Sequence, residues 1–324
     1  MSNKKFLILL LSLFFAVTST AAEGDTKSLW EFASPSADAI LYFNTKQPEQ
    51  AMDRNLWEFI QRDKLNAIAA NPEEQLFDTK NRDMEAIINL YVYSISPFSA
   101  TIEGVANITG NIHNDIQKLL KNIGQNGGPS PKIDEIDKIP HYNWTVPANE
   151  DMPPVDIMFT PVNNNQLHFR INITPRGEMS QAAIGTTQKN VTLLNTVPQQ
   201  EQAFVLAGDV EKLMSLTGLP GAQGENAMTY LSQIKTVCAY GNVQALHLFV
   251  NANIILKDSS FLPKFIQLLN SYRNNMVAIA KLEELPRITS SGNMIKIAAK
   301  INIADAWQML SGMTTPHKDS PAKK

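Results

Sequence analysis

Cysteine is almost missing: Cys238 is the one such residue in 324. An internal disulfide is therefore excluded, and the core has to hold by packing even if the chain reaches an oxidising compartment. Thr236-Val237-Cys238-Ala239-Tyr240 reads as a strand, which makes Cys238 a buried structural thiol. No His or acid stands near it in sequence to activate it as a nucleophile.

A surplus of positive charge is also missing. The formal net charge is −3, whereas nucleic-acid binding leaves a basic stripe. The one basic cluster, Lys318, Lys323 and Lys324, shares its segment with Asp319 and Pro321. Residues 314–324 are accordingly expected to be a solvated, disordered tail, and no nucleic-acid partner is expected. Long apolar runs are missing too. The run from Phe6 to Val17 falls well short of the roughly 20 residues that a helix needs to cross a bilayer core, so no stable membrane span is expected in the mature chain.

Compact chemical signatures are absent from the sequence: no G-x-S-x-G, H-E-x-x-H, C-x-x-C, G-x-x-x-x-G-K-[ST] or EF-hand loop. No catalytic residue, metal or cofactor is assigned on this basis, although sites assembled from distant residues leave no such trace. Gly218, Gly221 and Gly224 lack the Lys and Ser/Thr of a phosphate loop and follow a helix-like stretch, so they read as a connector. Asp134, Glu135 and Asp137 stand near His141, with Glu150 and Asp151 beyond. No Gly tightens that acid run into a cation loop. Ile133, Ile136 and Ile139 recur every third residue, which suits a solvated segment tethered by its isoleucines. Asn107, Asn143, Asn172 and Asn190 each begin an N-x-T triplet, read here as compositional accident.

What is present begins with an address. Lys4 and Lys5 precede the Phe6–Val17 run, small residues follow from Thr18 to Ala22, and Glu23, Gly24 and Asp25 open a polar chain. This is the three-part layout of a cleavable secretory signal peptide over residues 1–22. Its short length and paired lysines suit a bacterium, and a periplasmic or extracellular location follows. Cleavage removes two lysines and no acid, taking the formal charge from −3 to −5.

The roughly 300 mature residues suggest two domains, and a faint internal duplication suggests that they are related. Pro35-Ser36-Ala37-Asp38 leads into the apolar run 39–43, as Pro198-Gln199-Gln200-Glu201 leads into 203–206. Val105-Ala106-Asn107-Ile108 precedes a helix with Ile116-Gln117-Lys118-Leu119-Leu120, and Ala252-Asn253-Ile254 precedes one with Ile266-Gln267-Leu268-Leu269. Arg170-Ile171-Asn172-Ile173 matches Lys300-Ile301-Asn302-Ile303. The islands recur in the same order.

Between them, Leu246, Leu248, Val250, Ala252 and Ile254 alternate with His247, Phe249, Asn251 and Asn253. Ile295 to Ile303 and Leu167 to Ile173 alternate likewise, as half-buried strands do. Helical spacing at Met52, Leu56, Trp57, Phe59 and Ile60, at Ile112, Ile116, Leu119, Leu120 and Ile123, and along Phe261 to Tyr272 supplies stripes to cover one sheet face. The expectation is an α+β chain of two antiparallel-sheet units, residues 23–195 and 196–313, with helices on one face. Each has element order βαββαβ, the order of a ferredoxin-like split βαβ unit, and the second adds a closing helix around Trp307. The first is expected to carry a loop-rich insertion near 124–154, with a short strand at Tyr142–Val146.

Function is read from the polar strand faces. His168 and Arg170 in one unit, and His247, Phe249 and Asn251 in the other, are the candidate binding residues. The expected role is a non-enzymatic envelope protein, acting as a binding or structural module toward an envelope partner or itself. The alternative is an exported hydrolase or small-ligand binder with a site between the halves, where His168 and His247 meet if the halves pack face to face. His113 and His317 carry no role in either reading.

Overall fold

A computed structural model describes residues 29–34, 36–55, 84–95, 98–125, 131–146, 153–173, 202–210, 230–280 and 282–305. Residues 1–22, where a signal peptide is expected, Leu56, Trp57, Phe59 and Ile60 of an expected helical stripe, the Gly218–Gly224 series, Glu150, Asp151, Asn190, Trp307, His317 and the expected tail lie outside them.

The protein is a mixed α+β chain dominated by antiparallel sheet. The first half contributes β1 (Ala39–Asn44), a short helix α1 (Lys46–Ala51), β2 (Met84–Ile95), β3 (Phe98–Ile108), α2 (Ile112–Gln125), β4 (Lys132–Ile136), β5 (Ile139–Val146), β6 (Val155–Pro161) and β7 (Gln166–Ile173). The second half contributes β8 (Phe204–Asp209), β9 (Ile234–Gln244), β10 (His247–Leu256), α3 (Leu262–Ala280), β11 (Arg287–Ser291) and β12 (Met294–Asn302). All of these strands join one twelve-stranded sheet, ordered β11-β12-β10-β9-β8-β1-β2-β3-β7-β6-β5-β4. Each half therefore runs as a three-strand meander, a helix, and a return that sets β7 against β3 or β12 against β10.

The strand order differs from the split βαβ order. That unit needs a parallel pair, and every pairing between the named strands is antiparallel. Element order leaves this open, because a helix between two strands can carry the chain across to a parallel neighbour or back beside an antiparallel one. The halves meet edge to edge, with Leu41 opposite Leu206 and Phe43 opposite Phe204 where β1 pairs with β8.

The expected insertion is partly sheet. Lys132–Ile136 and Ile139–Val146 form a hairpin that extends the sheet to its outer edge; the strand expected at Tyr142–Val146 is the body of β5, whereas a solvated tether was expected where β4 lies. Asp137 and Lys138 turn it with positive φ, 53 and 65, as a two-residue hairpin turn requires. Lys-Ile-Asp-Glu-Ile carries no two-residue alternation in hydropathy or burial, so nothing local marks β4 as a strand. β11 was likewise not expected, because Arg-Ile-Thr-Ser-Ser has too few apolar positions to alternate.

Strand alternation separates two faces. One is apolar and carries the described long helices: Ile112 and Ile116 of α2 pack on Tyr142 and Trp144, and Phe265 of α3 packs on Ile254, Leu256 and Ile295. Glycine is required at two places on it. A Cβ at Gly104 would strike the Ile87 carbonyl and the Phe169 ring, and one at Gly241 would come within 2.6 Å of the Phe204 ring. In both cases the aromatic ring of the directly paired residue on the next strand fills the space above the glycine.

The other face is polar toward both ends and apolar at its middle. There a single 3₁₀ turn, Leu29–Phe32, lies over Ile40, Tyr42, Ile87, Val105, Val205, Ala207 and Cys238. Leu29 and Cys238 are each 1 % exposed, and burying side chains of this kind contributes about 1.5–3 kcal/mol apiece for the larger aliphatics. Cys238 is thus a buried core thiol. This turn and the residues after it form a strap across the seam between the halves.

Candidate functional site

Register places the candidate binding residues on the polar face. His168 pairs with Val105, Val105 with Ile87, Ile87 with Tyr42, Tyr42 with Val205, Val205 with Tyr240, and Tyr240 with Asn251. Direct cross-strand partners point to the same side, so His168 and Asn251 occupy one row across the sheet. Arg170 lies two residues along β7 from His168, and Phe249 and His247 lie two and four along β10 from Asn251, all on this face. The middle of the row is the buried core beneath the strap, which leaves two polar wings.

The two histidines do not meet. Six strand steps separate β7 from β10, roughly 29 Å at the usual strand spacing. The face-to-face packing that would join them is replaced by edge-to-edge pairing.

In the first wing the polar side chains are tied to one another. Thr101 Oγ1 donates to Asn172 Oδ1 at 2.9 Å, and Arg170 Nε reaches the same oxygen at 3.3 Å. Gln166 Nε2 donates to Asn107 Oδ1 at 3.1 Å, and Thr145 Oγ1 to Asp156 Oδ1 at 2.7 Å. Thr160 Oγ1 and His141 Nδ1 share a bond of 2.9 Å. Asp134 accepts from Asn143 and pairs with Lys132 at 2.9 Å. These are bonds along and between neighbouring strands, so the asparagines at 107, 143 and 172 are members of a ladder. Among the described residues no three of His, Cys, Asp and Glu gather as a metal site would need.

His168 differs from the rest of its wing. Among the described residues its buried Nε2 has no hydrogen-bond partner, and its ring meets Phe32 of the strap edge-on at 5.4 Å between centroids. Burial holds the imidazole pKa below its ordinary value, so the ring is neutral near pH 7. Two strands away on β2, Asn89 fastens the strap: Oδ1 accepts from Ser34 N at 2.8 Å, and Nδ2 donates to the Phe32 carbonyl at 2.9 Å. Tyr91 donates to Glu103 at 2.7 Å, and burial together with that carboxylate pushes its hydroxyl up to about 12. Burial, with Glu85 beside it, raises Tyr42 further.

In the second wing, His247 Nε2 lies 2.7 Å from Glu283 Oε1, and Lys300 Nζ lies 2.7 Å from Glu283 Oε2. Glu283 is held there by the chain, its N–H donating to the Lys300 carbonyl. The Lys300 hydrogen bond, followed by His247, lowers the Glu283 pKa. The Phe249 ring stands 6.3 Å from the His247 ring, and Phe249 is directly opposite Lys300. Glu283 was not foreseen because it lies in the connector between α3 and β11, far from His247 in sequence and without a spacing signal. Lys300 was legible in the alternation of β12, once β12 is paired with β10.

No protein-family model matches the chain, and no curated protein is similar to it in sequence. Among solved structures, crystal form III of TP0453 is 12 % identical, covers 90 % of this chain and 100 % of its own, and has a TM-score of 0.45. Crystal form I of TP0453 is also 12 % identical, covers 91 % and 100 %, and has a TM-score of 0.40. At that level the similarity assigns neither a family nor an activity.

Proposed function

We propose that the chain is an exported, non-enzymatic bacterial envelope protein that binds another macromolecule through the polar face of its sheet. Export rests on the leader over residues 1–22. Descent from two related α+β units is supported by a shared order of elements, a meander, a helix and a return hairpin in each half, to which the first half adds the β4–β5 hairpin.

One observation carries the binding role. Residues singled out in both halves fall on one face of one sheet, His168 and Asn251 in a single row. A broad face of this kind suits a partner of comparable width, whereas small ligands favour concave, largely apolar pockets. The wings also offer the residue types that anchor protein interfaces, Arg170 in one and Phe249 in the other. The test is capture of the partner by the wild-type mature chain and by Phe249→Ala, Arg170→Ala and the double variant. Each single change is expected to weaken capture, and a partner retained in full by the double variant would count against this face.

The contact between His247 and Glu283 supports a second reading, a hydrolase or small-ligand site. The pair lies in the wing at β10 and β12; at the seam between the halves Tyr42 and Val205 are buried under the strap. A hydrolytic activity of the mature chain that disappears in His247→Gln would favour this reading over the binding module.

A further inference from the structure

An open sheet has two outer edges, and the two in this protein differ. Among the described residues β4 ends one side of the sheet and β11 ends the other. On β4, Ile133 and Ile136 are 55 % and 56 % exposed, an unusual state for large aliphatics on an unpaired strand, which normally invites pairing with another chain. We propose that β4 pairs with β4 of a second copy of this chain, antiparallel and about a two-fold axis at Ile133.

The register follows from backbone and charge. Opposite Glu135 on β5 stands Pro140, which has no N–H to give. The Glu135–Pro140 position is therefore a non-hydrogen-bonded pair, and so, two residues on, is Ile133–Tyr142. The main-chain groups of Glu135 and Ile133 consequently turn outward, while those of Lys132, Asp134 and Ile136 are used by β5. A continuous sheet built by a two-fold axis normal to it pairs residues of the same face. Within β4 the axis can then stand at Ile133, Asp134 or Glu135, and at Asp134 that carboxylate would face its own copy across a non-hydrogen-bonded pair. A centre at Glu135 sets that carboxylate against its own copy. A centre at Ile133 sets Ile133 against Ile133, with both N–H groups donating across, and Lys132 opposite Asp134 of the second copy on each side of the axis.

The sequence Lys-Ile-Asp is thus self-complementary in charge about its isoleucine. Lys132 and Asp134 already attract each other along the strand at 2.9 Å, with the lysine side chain 78 % exposed, and the second copy would complete an alternating four-charge ring. On the opposite side of the sheet Ile133 would extend the apolar layer that continues through Tyr142 and Trp144. The β11 edge has Arg287 and no acid, so it lacks this complement. The register brings residues 132–134 of the two β4 strands together, a contact small beside standard interfaces, and the association is accordingly micromolar or weaker.

The test is sedimentation velocity on the mature chain from about 1 to about 200 μM, with a concentration-dependent monomer–dimer shift expected. Ile133→Pro removes an outward N–H without touching the β4–β5 ladder and should leave a folded monomer. Lys132→Glu or Asp134→Lys alone should weaken the dimer about tenfold, and the two together should restore it, because the swapped charges again face opposites. Under mild oxidation Ile133→Cys should crosslink between chains, its paired Cα atoms being about 5.5 Å apart. Ile136→Cys, equally exposed, should not. A chain that stays monomeric throughout, a dimer indifferent to Ile133→Pro, a double charge swap without rescue, or equal crosslinking at 133 and 136 would each overturn the proposal.

Discussion

Removing the Asn89 side chain should release the strap. Asn89 is 3 % exposed and holds two main-chain groups of the strap, the Ser34 N–H and the Phe32 carbonyl, at 2.8 and 2.9 Å. Asn89→Ala leaves both without their partner under a layer that also holds Leu29 against the core and Trp30 against Tyr42, 4.9 Å between rings. An abandoned buried polar group costs about 1–3 kcal/mol. Both groups are half-buried, so water recovers part of this, and a loss of about 2–4 kcal/mol is expected. Urea unfolding measures the loss, and amide exchange over residues 29–37 measures its location. Exchange there should accelerate far more than in β9 or β10. Asn89→Asp should also destabilise, because an oxygen then faces the Phe32 carbonyl. A loss below about 0.5 kcal/mol, or exchange that quickens uniformly, would refute the claim that this amide fastens the strap.

Gly104→Ala should cost about 1–3 kcal/mol in chemical denaturation, the range for forcing extra volume into packed structure, because the new methyl meets the Ile87 carbonyl as well as the Phe169 ring; a neutral effect would show that β2 and β3 separate freely. Acidification tests His168. Its folded pKa lies below the ordinary 6.5, so the unfolded chain takes up the proton first. Stability should be full above about pH 6.5 and fall as pH drops below it, and His168→Gln should flatten that part of the profile. Glu283 has a lowered pKa, so its contribution should be present above the ordinary carboxylate pKa and be lost as pH falls through the lower folded value, a further loss that Glu283→Gln should remove.

The strands were largely legible because alternation is a local signal. Leu248 to Ile254 and Ile295 to Ile301 place their apolar residues toward α3 as their two-residue period requires. The common face of His168, Arg170, His247, Phe249 and Asn251 was only half legible. Each strand reveals its own polar side, but whether two distant strands share a side depends on the register through β1 and β8, which no local pattern encodes. Strand order was illegible for the same reason, since the helices fix which elements exist but not whether the chain returns beside its last strand. The strap escaped notice because Leu-Trp-Glu-Phe is too short to show a period. Glu283 escaped because its partners His247 and Lys300 reach it only through pairing of β10 with β12.

The central claim is that the two polar wings act together as one macromolecular contact surface. Its most direct test is site-specific photocrosslinking in intact cells of the native host, with the crosslinker placed in turn at Arg170, Phe249 and Tyr272. Tyr272 lies on α3 and is 52 % exposed, so it controls for simple accessibility. The account predicts one and the same partner captured from positions 170 and 249 and little or none from 272. Different partners at the two wings, or equal capture from Tyr272, would contradict it.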